Sequence, residues 1–324
     1  MKFGYYPGCS LGSTARPYDL STRAIAEPFG LELVEVEDWN CCGSMEYFAV
    51  NASAGYALVG RNLALAAGQD VFTKLVAPCS ACYLNLRKVD KYLGQYPEVK
   101  KRTDEALAVG GLSYKPGSLD VRHLIDVIVH DVGFKAIADK VTNPLKGLRL
   151  APYYGCLIAR PDLGQDSALD DAEYPTHMDK LLDVLGATVI DFPLKTHCCG
   201  GHMTQVSAET GYEMIRQLLK NASEYEADAI VTLCPMCQLN LDAYQSNINK
   251  HFGTSFKLPI LYFTQMIGLA IGLTPKELGL GKEIVSSAPM LEKIGTELET
   301  EPELRGRKKK DDKSLPMPNA QAEG

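Results

Sequence analysis

The sequence has no surplus of positive charge. Its 324 residues carry 33 Lys and Arg against 40 Asp and Glu, a net charge of −7, so no basic field exists to hold a nucleic-acid backbone and no nucleic-acid partner is expected. Long apolar runs are scarce as well. The longest, Leu258 to Leu273, is interrupted by Thr264 and Gln265 and falls short of the ~20 residues that cross a bilayer, so no membrane span is expected. The opening residues, Met1-Lys2-Phe3-Gly4-Tyr5-Tyr6, run into strand-like sequence without the apolar core or cleavage site of a secretion signal, which points to a cytoplasmic location. No G-x-G-x-x-G fingerprint for a flavin or nicotinamide is present, so two-electron donors must be handled by another protein. Cysteine, at ten residues, is too sparse for a disulfide-stapled scaffold. Apolar residues, at 46%, are plentiful enough for two globular units of ~100–200 residues each, which excludes a disordered or fibrous chain.

The ten cysteines fall into two sets with the same order. Cys9, then Cys41-Cys42, then Cys79 and Cys82 in a C-x-x-C are followed by Cys156, Cys198-Cys199, and Cys234 with Cys237. Flanking residues repeat with them: Tyr6-Pro7-Gly8-Cys9 matches Tyr153-Tyr154-Gly155-Cys156, Cys41-Cys42-Gly43 matches Cys198-Cys199-Gly200, and Cys82-Tyr83-Leu84-Asn85-Leu86 matches Cys237-Gln238-Leu239-Asn240-Leu241. The chain is an internal duplication with a domain-sized period of about 150 residues, too long for a solenoid.

Short apolar or alternating runs at Lys2–Tyr6, Leu31–Val36 and Lys74–Ala77 read as strands, each followed closely by cysteine. Helical sequence comes next, at Ala15–Phe29, Ala52–Ala67 and Ser80–Tyr92. The second half repeats this with strands at Leu148–Tyr153, Thr188–Phe192 and Ala229–Leu233 and helices at Tyr174–Leu185, Ala208–Tyr225 and Cys237–Lys250. Strands alternating with helices predict an α/β fold. Two pseudo-symmetric domains are expected, each a small parallel sheet flanked by helices with its cysteine loops at the strand C-terminal ends. The apolar segments Val121–Val132 and Leu258–Leu273 are expected to be helices, at least in part. Pro and Gly punctuation near Pro144-Leu145-Lys146-Gly147 sets the domains at 1–146 and 147–295. The polar, basic stretch 296–324 is expected to be a disordered tail.

Four chemistries compete for the thiols. Disulfides do not suit a reducing compartment, and bridges between adjacent cysteines would be strained. Structural zinc takes four tetrahedral ligands, usually from two C-x-x-C pairs ~15–20 residues apart, whereas these pairs lie about 150 residues apart; one half binding zinc stays open. A thioredoxin-like dithiol leaves three cysteines per half without a role. Iron–sulfur clusters fit best, since soft thiolates are what iron and sulfide prefer, although a fifth cysteine per half exceeds the four of a cubane.

The C, CCG and C-x-x-C arrangement, present twice, resembles the CCG-domain family, and within it the catalytic B-type subunits of heterodisulfide reductases. The resemblance runs from Lys2 to about Leu273. It implies two noncubane [4Fe-4S] clusters, one held by Cys9, Cys41, Cys42, Cys79 and Cys82 and the other by Cys156, Cys198, Cys199, Cys234 and Cys237. It also implies two partners within a heterodisulfide reductase-like complex, a flavin-containing subunit and a further iron–sulfur subunit, and a disulfide or other sulfur compound as substrate. The function expected is that of an oxidoreductase, working on sulfur groups as part of such a complex. The alternative is an electron-transfer or assembly subunit of a sulfur-oxidising complex, with zinc in one half.

Other residues carry weaker signals. His197 and His202 bracket Cys198-Cys199, have no histidine counterpart in the first half, and are the candidate catalytic residues, as proton donors or as ligands of an anionic substrate. Lys195 and Arg160 are either readers of substrate charge or surface residues. His123, in an apolar segment, reads as a satisfied core residue. Trp39 either shields a cluster or packs.

Overall fold

The computed structural model describes residues 1–160 and 169–296; apart from Thr296, the expected tail lies outside them. Among the described residues eight strands form two sheets. The first contains Lys2–Tyr5 (β1), Glu32–Glu35 (β2), Lys74–Ala77 (β3) and Asp120–His123 (β4), in the order β2-β1-β3-β4. Arg149–Tyr153 (β5), Thr188–Val189 (β6), Ala229–Thr232 (β7) and Ile260–Tyr262 (β8) form the second, in the order β6-β5-β7-β8. Every pairing is parallel, so each return to the sheet needs a crossover, and the helices provide it. The central strands are buried nearly throughout: Phe3, Tyr5, Leu75, Val76 and Ala77 in one sheet, and Ala151, Tyr153, Ile230 and Val231 in the other. The α/β expectation, with two like-wound parallel sheets, is met.

Both sheets have a fourth strand where a helix was expected. In each closing segment a strand comes first and the helix follows, as Leu124–Asp126 continuing into a π-helical stretch Val127–Gly133, and as Phe263–Ala270. Each strand passes straight into its helix, at His123–Leu124 and Tyr262–Phe263, with no turn residue between them to mark the change of period.

The closing segments also join the halves. Helix Phe263–Ala270 packs on Arg16–Ala26 of the first half, with the Ser21 and Thr264 hydroxyls 2.6 Å apart. Tyr18 stacks on Tyr262 at 4.2 Å and 6°, a geometry worth ~0.5–1.5 kcal/mol beyond the area it buries. Reciprocally, helix Phe134–Ala138 packs on His177–Val184 of the second half, and the His130 ring meets His177 edge-on at 4.9 Å. Each half thus covers part of the other, and the two rows of cysteine loops are brought face to face.

Candidate functional site

In a parallel sheet the loops leaving the strand C-terminal ends share one edge. β1 delivers Cys9, and β3 delivers Cys79 and Cys82 at the start of helix Ser80–Gln95. The pair Cys41-Cys42 hangs in the loop after β2 and is pinned from two sides. The Tyr6 hydroxyl donates to the Asn40 carbonyl at 2.6 Å. From the C-x-x-C helix, buried Asn85 donates to the Cys42 carbonyl at 3.3 Å and the Ser44 carbonyl at 2.5 Å. The second half repeats the device: Tyr153 donates to the His197 carbonyl at 2.7 Å, and Asn240 to the Cys199 and Gly201 carbonyls at 3.2 and 2.7 Å. The two asparagines were visible in the sequence as part of the repeat. Their role as pins was not.

The sulfurs are close-set. Cys9 and Cys41 Sγ lie 3.5 Å apart, as do Cys42 and Cys82 Sγ, and the Gly43 and Gly200 amides donate to Cys41 and Cys198 Sγ at 3.4 and 3.3 Å. Cys79 and Cys234 interact with each other across the boundary between the halves. Gly8 and Gly155, at φ +72° and +71°, leave so little room that a Cβ on either would stand 2.8 or 2.9 Å from the sulfur of Cys82 or Cys237. Glycine is therefore required there by conformation and by contact.

The thiols' acidities follow from their crowding. Hydrogen bonds from Cys42 and Cys9 pull Cys41 far down, and hydrogen bonds from Cys156 and Cys199 do the same for Cys198, with a smaller pull from the Arg160 charge. Their neighbours move the other way: hydrogen bonding to Cys198 and burial push Cys199 up to about 12, and Cys82 and Cys237 are raised by their thiol partners and by burial. Cys234 is pulled down as well, by hydrogen bonds with Cys237 and Cys79, so each lowered thiol stands among neighbours that are raised. Full deprotonation of such a set requires positive charge among the sulfurs, which is what metal ions supply.

All ten cysteines line a single cavity of about 580 Å³, together with Met45, Glu46, Tyr154, Met236 and His202. Cys9, Cys41, Cys156 and Cys198 keep solvent exposure, while the other six are buried. His202 Nδ1 pairs with Glu46 of the opposite half; burial, the largest single influence, raises the Glu46 pKa, but hydrogen bonds from His202, its own backbone amide and Ser44, with the His202 charge, together outweigh it and leave the carboxyl below its ordinary value. His197 is exposed and is not among the cavity-lining residues. Lys195 is neither a surface charge nor a free reader of substrate. It is 1% exposed and its ammonium binds Asp179 at 2.9 Å, over the Tyr174 ring at 3.7 Å. Asp179 also accepts the Tyr154 hydroxyl at 2.6 Å, so the buried pair braces the strand end that carries Cys156. Arg160 donates to the Thr196 carbonyl at 2.8 Å. Trp39 packs edge-on to Tyr6 at 5.6 Å.

Two five-cysteine loop sets on two like-wound sheets define the class, and the chain belongs to the cysteine-rich CCG domain family, whose signature matches residues 3–87 and 150–242. Over 289 residues it is 32% identical to the 8-methylmenaquinol:fumarate reductase membrane anchor subunit of Wolinella succinogenes, covering 89% of this chain and 99% of that one. It is 30% identical over 298 residues to the B subunit of the ferredoxin/F420H2-dependent CoB-CoM heterodisulfide reductase of Methanosarcina acetivorans, covering 90% and 97%. A protein of Archaeoglobus profundus described as like the heterodisulfide reductase B subunit is 28% identical over 86% of this chain and 93% of that one. Among solved structures, a hypothetical protein from Helicobacter pylori shares the fold, with a TM-score of 0.69 over 88% of this chain at 14% identity; this chain spans 52% of that one. Among the described residues no helix is long and apolar enough to cross a membrane.

Proposed function

We propose that this chain is the cytoplasmic iron–sulfur subunit of a heterodisulfide reductase-like complex, and that it delivers electrons to a disulfide or related sulfur substrate held between its two domains, 1–146 and 147–295. The observation that carries the reading is the cavity walled by all ten cysteines, five from each half. The residues fit clusters in three respects. The ten thiols border one space of about 580 Å³, and soft thiolates are the donors a multi-iron group takes. Five thiols reach each half of that space from three loops at one sheet edge, a donor set drawn from several elements that can wrap a cluster. Finally, the hydroxyl of Ser80, a cavity-lining residue next to Cys79, is buried without a hydrogen-bond partner, a donor left over for a sulfur-bearing group.

Cys9, Cys41, Cys42, Cys79 and Cys82 would hold one noncubane [4Fe-4S] cluster, and Cys156, Cys198, Cys199, Cys234 and Cys237 the other. When bound, such clusters supply electrons one at a time. Opening one sulfur–sulfur bond takes two electrons and two protons and yields two thiols, so two facing sites in one chain match the stoichiometry. The chain's own residues position the substrate and its protons. His202, at the cavity wall, holds a proton within reach of a departing sulfur, with Glu46 keeping the ring in place; His197, outside the lining, has no part in this scheme. The electrons come from partners, a second iron–sulfur subunit and a flavin subunit. Replacing Cys198 by Ser tests the reading: the second cluster is lost, the first stays visible by paramagnetic resonance, and disulfide reduction is abolished. Reduction at half the normal rate with only the first cluster present would overturn it.

A further inference from the structure

Tyr18 stands on helix Arg16–Ala26 of the first half and is wholly buried. Its ring contacts need no hydroxyl. It stacks on Tyr262 at 4.2 Å and meets Phe263 edge-on at 6.1 Å, and a phenylalanine would serve there equally well. A buried phenol must find hydrogen-bond partners, and here they lie in both halves at once. The hydroxyl donates to the Pro78 carbonyl at 3.1 Å and, more weakly, to the Leu233 carbonyl at 3.4 Å, one O–H shared between two acceptors as a three-centre bond. Burial raises the phenol pKa well above its ordinary value, so the oxygen keeps the proton that both carbonyls accept.

The two acceptors are equivalent positions of the duplication. Pro78 follows β3 and precedes Cys79, while Leu233 follows β7 and precedes Cys234. Each carbonyl thus belongs to the peptide bond that leads from a central strand into the first cysteine of a C-x-x-C. The pins on the other cysteine loops, from Tyr6, Asn85, Tyr153 and Asn240, each act within one half. Tyr18 reaches both. Its own place is held one turn further along the helix, where the Ser21 and Thr264 hydroxyls meet at 2.6 Å. We propose that Tyr18 is a positioning residue that fixes the spacing of the two cysteine sites, its hydroxyl drawing the strand ends that deliver Cys79 and Cys234 to one point. The inference rests on the cluster reading given above and deepens it. Two sites that each pass one electron to the same sulfur–sulfur bond must face it at a set separation, and a misplacement of about 1 Å in such an arrangement costs about 10²-fold in rate.

Two substitutions separate spacing from mere adhesion of the halves. Tyr18→Phe keeps the stacked ring and removes the shared hydrogen bond. Thr264→Val removes the other hydroxyl contact across the same interface, and Ser21 keeps its bond to the Pro17 carbonyl at 2.8 Å. The full chain, purified anaerobically with its clusters and fully reduced, is examined by pulsed dipolar spectroscopy, which reads the distance between the two paramagnetic sites. Wild type should give one narrow distance. Tyr18→Phe should retain its iron, give a broadened or displaced distance and reduce disulfide about tenfold more slowly; Thr264→Val should keep the wild-type distance and rate. Wild-type distance and rate in Tyr18→Phe would overturn the assignment. Equal broadening in the two variants would overturn it as well, because the interface as a whole would then set the spacing. So would loss of iron from Tyr18→Phe, because the hydroxyl would then build the sites rather than space them. Wild-type protein without iron and sulfide would instead defeat the cluster reading itself.

Discussion

Gly155→Ala is expected to damage the second site much more than backbone strain alone predicts. Gly155 sits at φ +71°, where an L side chain costs ~1–2 kcal/mol, and its added Cβ would stand 2.9 Å from Cys237 Sγ. Ordinary contact begins at 3.4 Å, so Cys237, itself only 5% exposed, must retreat by about half an ångström, beyond the ~0.2 Å that metal–ligand distances tolerate. Overpacking of this kind costs a further ~1–3 kcal/mol. The molecule supplies its own control. Gly253 has φ +67° with nothing within 4 Å of the place a methyl would take, so Gly253→Ala carries the conformational cost alone. In denaturant titrations at constant slope, Gly155→Ala should lose ~2–5 kcal/mol and about half its iron, and Gly253→Ala ~1–2 kcal/mol with its iron retained. Equal midpoints and equal iron in the two variants would refute the idea that the glycine beside Cys156 is held by contact with the Cys237 sulfur.

Asn240→Leu removes two buried hydrogen bonds to the loop of Cys198-Cys199 and should cost about 2–3 kcal/mol with loss of iron from the second half only; Asn85→Leu should do the same in the first, and iron retained in full would contradict the pinning role. Lys195→Met leaves Asp179 without its buried partner and should destabilise the protein by about 3 kcal/mol; a change below ~0.5 kcal/mol would be that of a surface charge. Glu46→Gln weakens the hydrogen-bonded contact with His202 across the cavity, and because both groups keep solvent contact the stability change should stay under ~1 kcal/mol. The freed His202 should lower the KM for an anionic disulfide, and an unchanged KM with a large loss of stability would show the pair to be structural.

The cysteines were legible because their chemistry is written in spacing, and spacing survives without the fold. The strand–cysteine–helix rhythm was legible for the same reason: β1 to β3 and β5 to β7 are short apolar runs ending at cysteine loops. β4 and β8 were not, since each runs directly into its helix, at His123–Leu124 and Tyr262–Phe263, with no turn residue to mark the change of period. Long-range pairing was the other blind spot. Glu46 meets His202 from 156 positions away, and Lys195 meets Asp179 only because β5 and its helix bring them together, so one looked like any acidic residue and the other like a surface charge. His123 was read correctly as buried, and half correctly as satisfied: its Nδ1 accepts the Ile125 amide, while its Nε2 has no partner among the described residues.

The central claim is that the ten thiols hold iron and sulfide in two equivalent sets. Metal and acid-labile sulfide analysis of the full-length chain, purified without oxygen, tests it most directly. The account predicts about eight iron atoms and about eight sulfides per chain, two four-iron clusters' worth, falling to about half in Cys198→Ser. Zinc in place of iron, or no retained metal after anaerobic reconstitution with iron and sulfide, would contradict it.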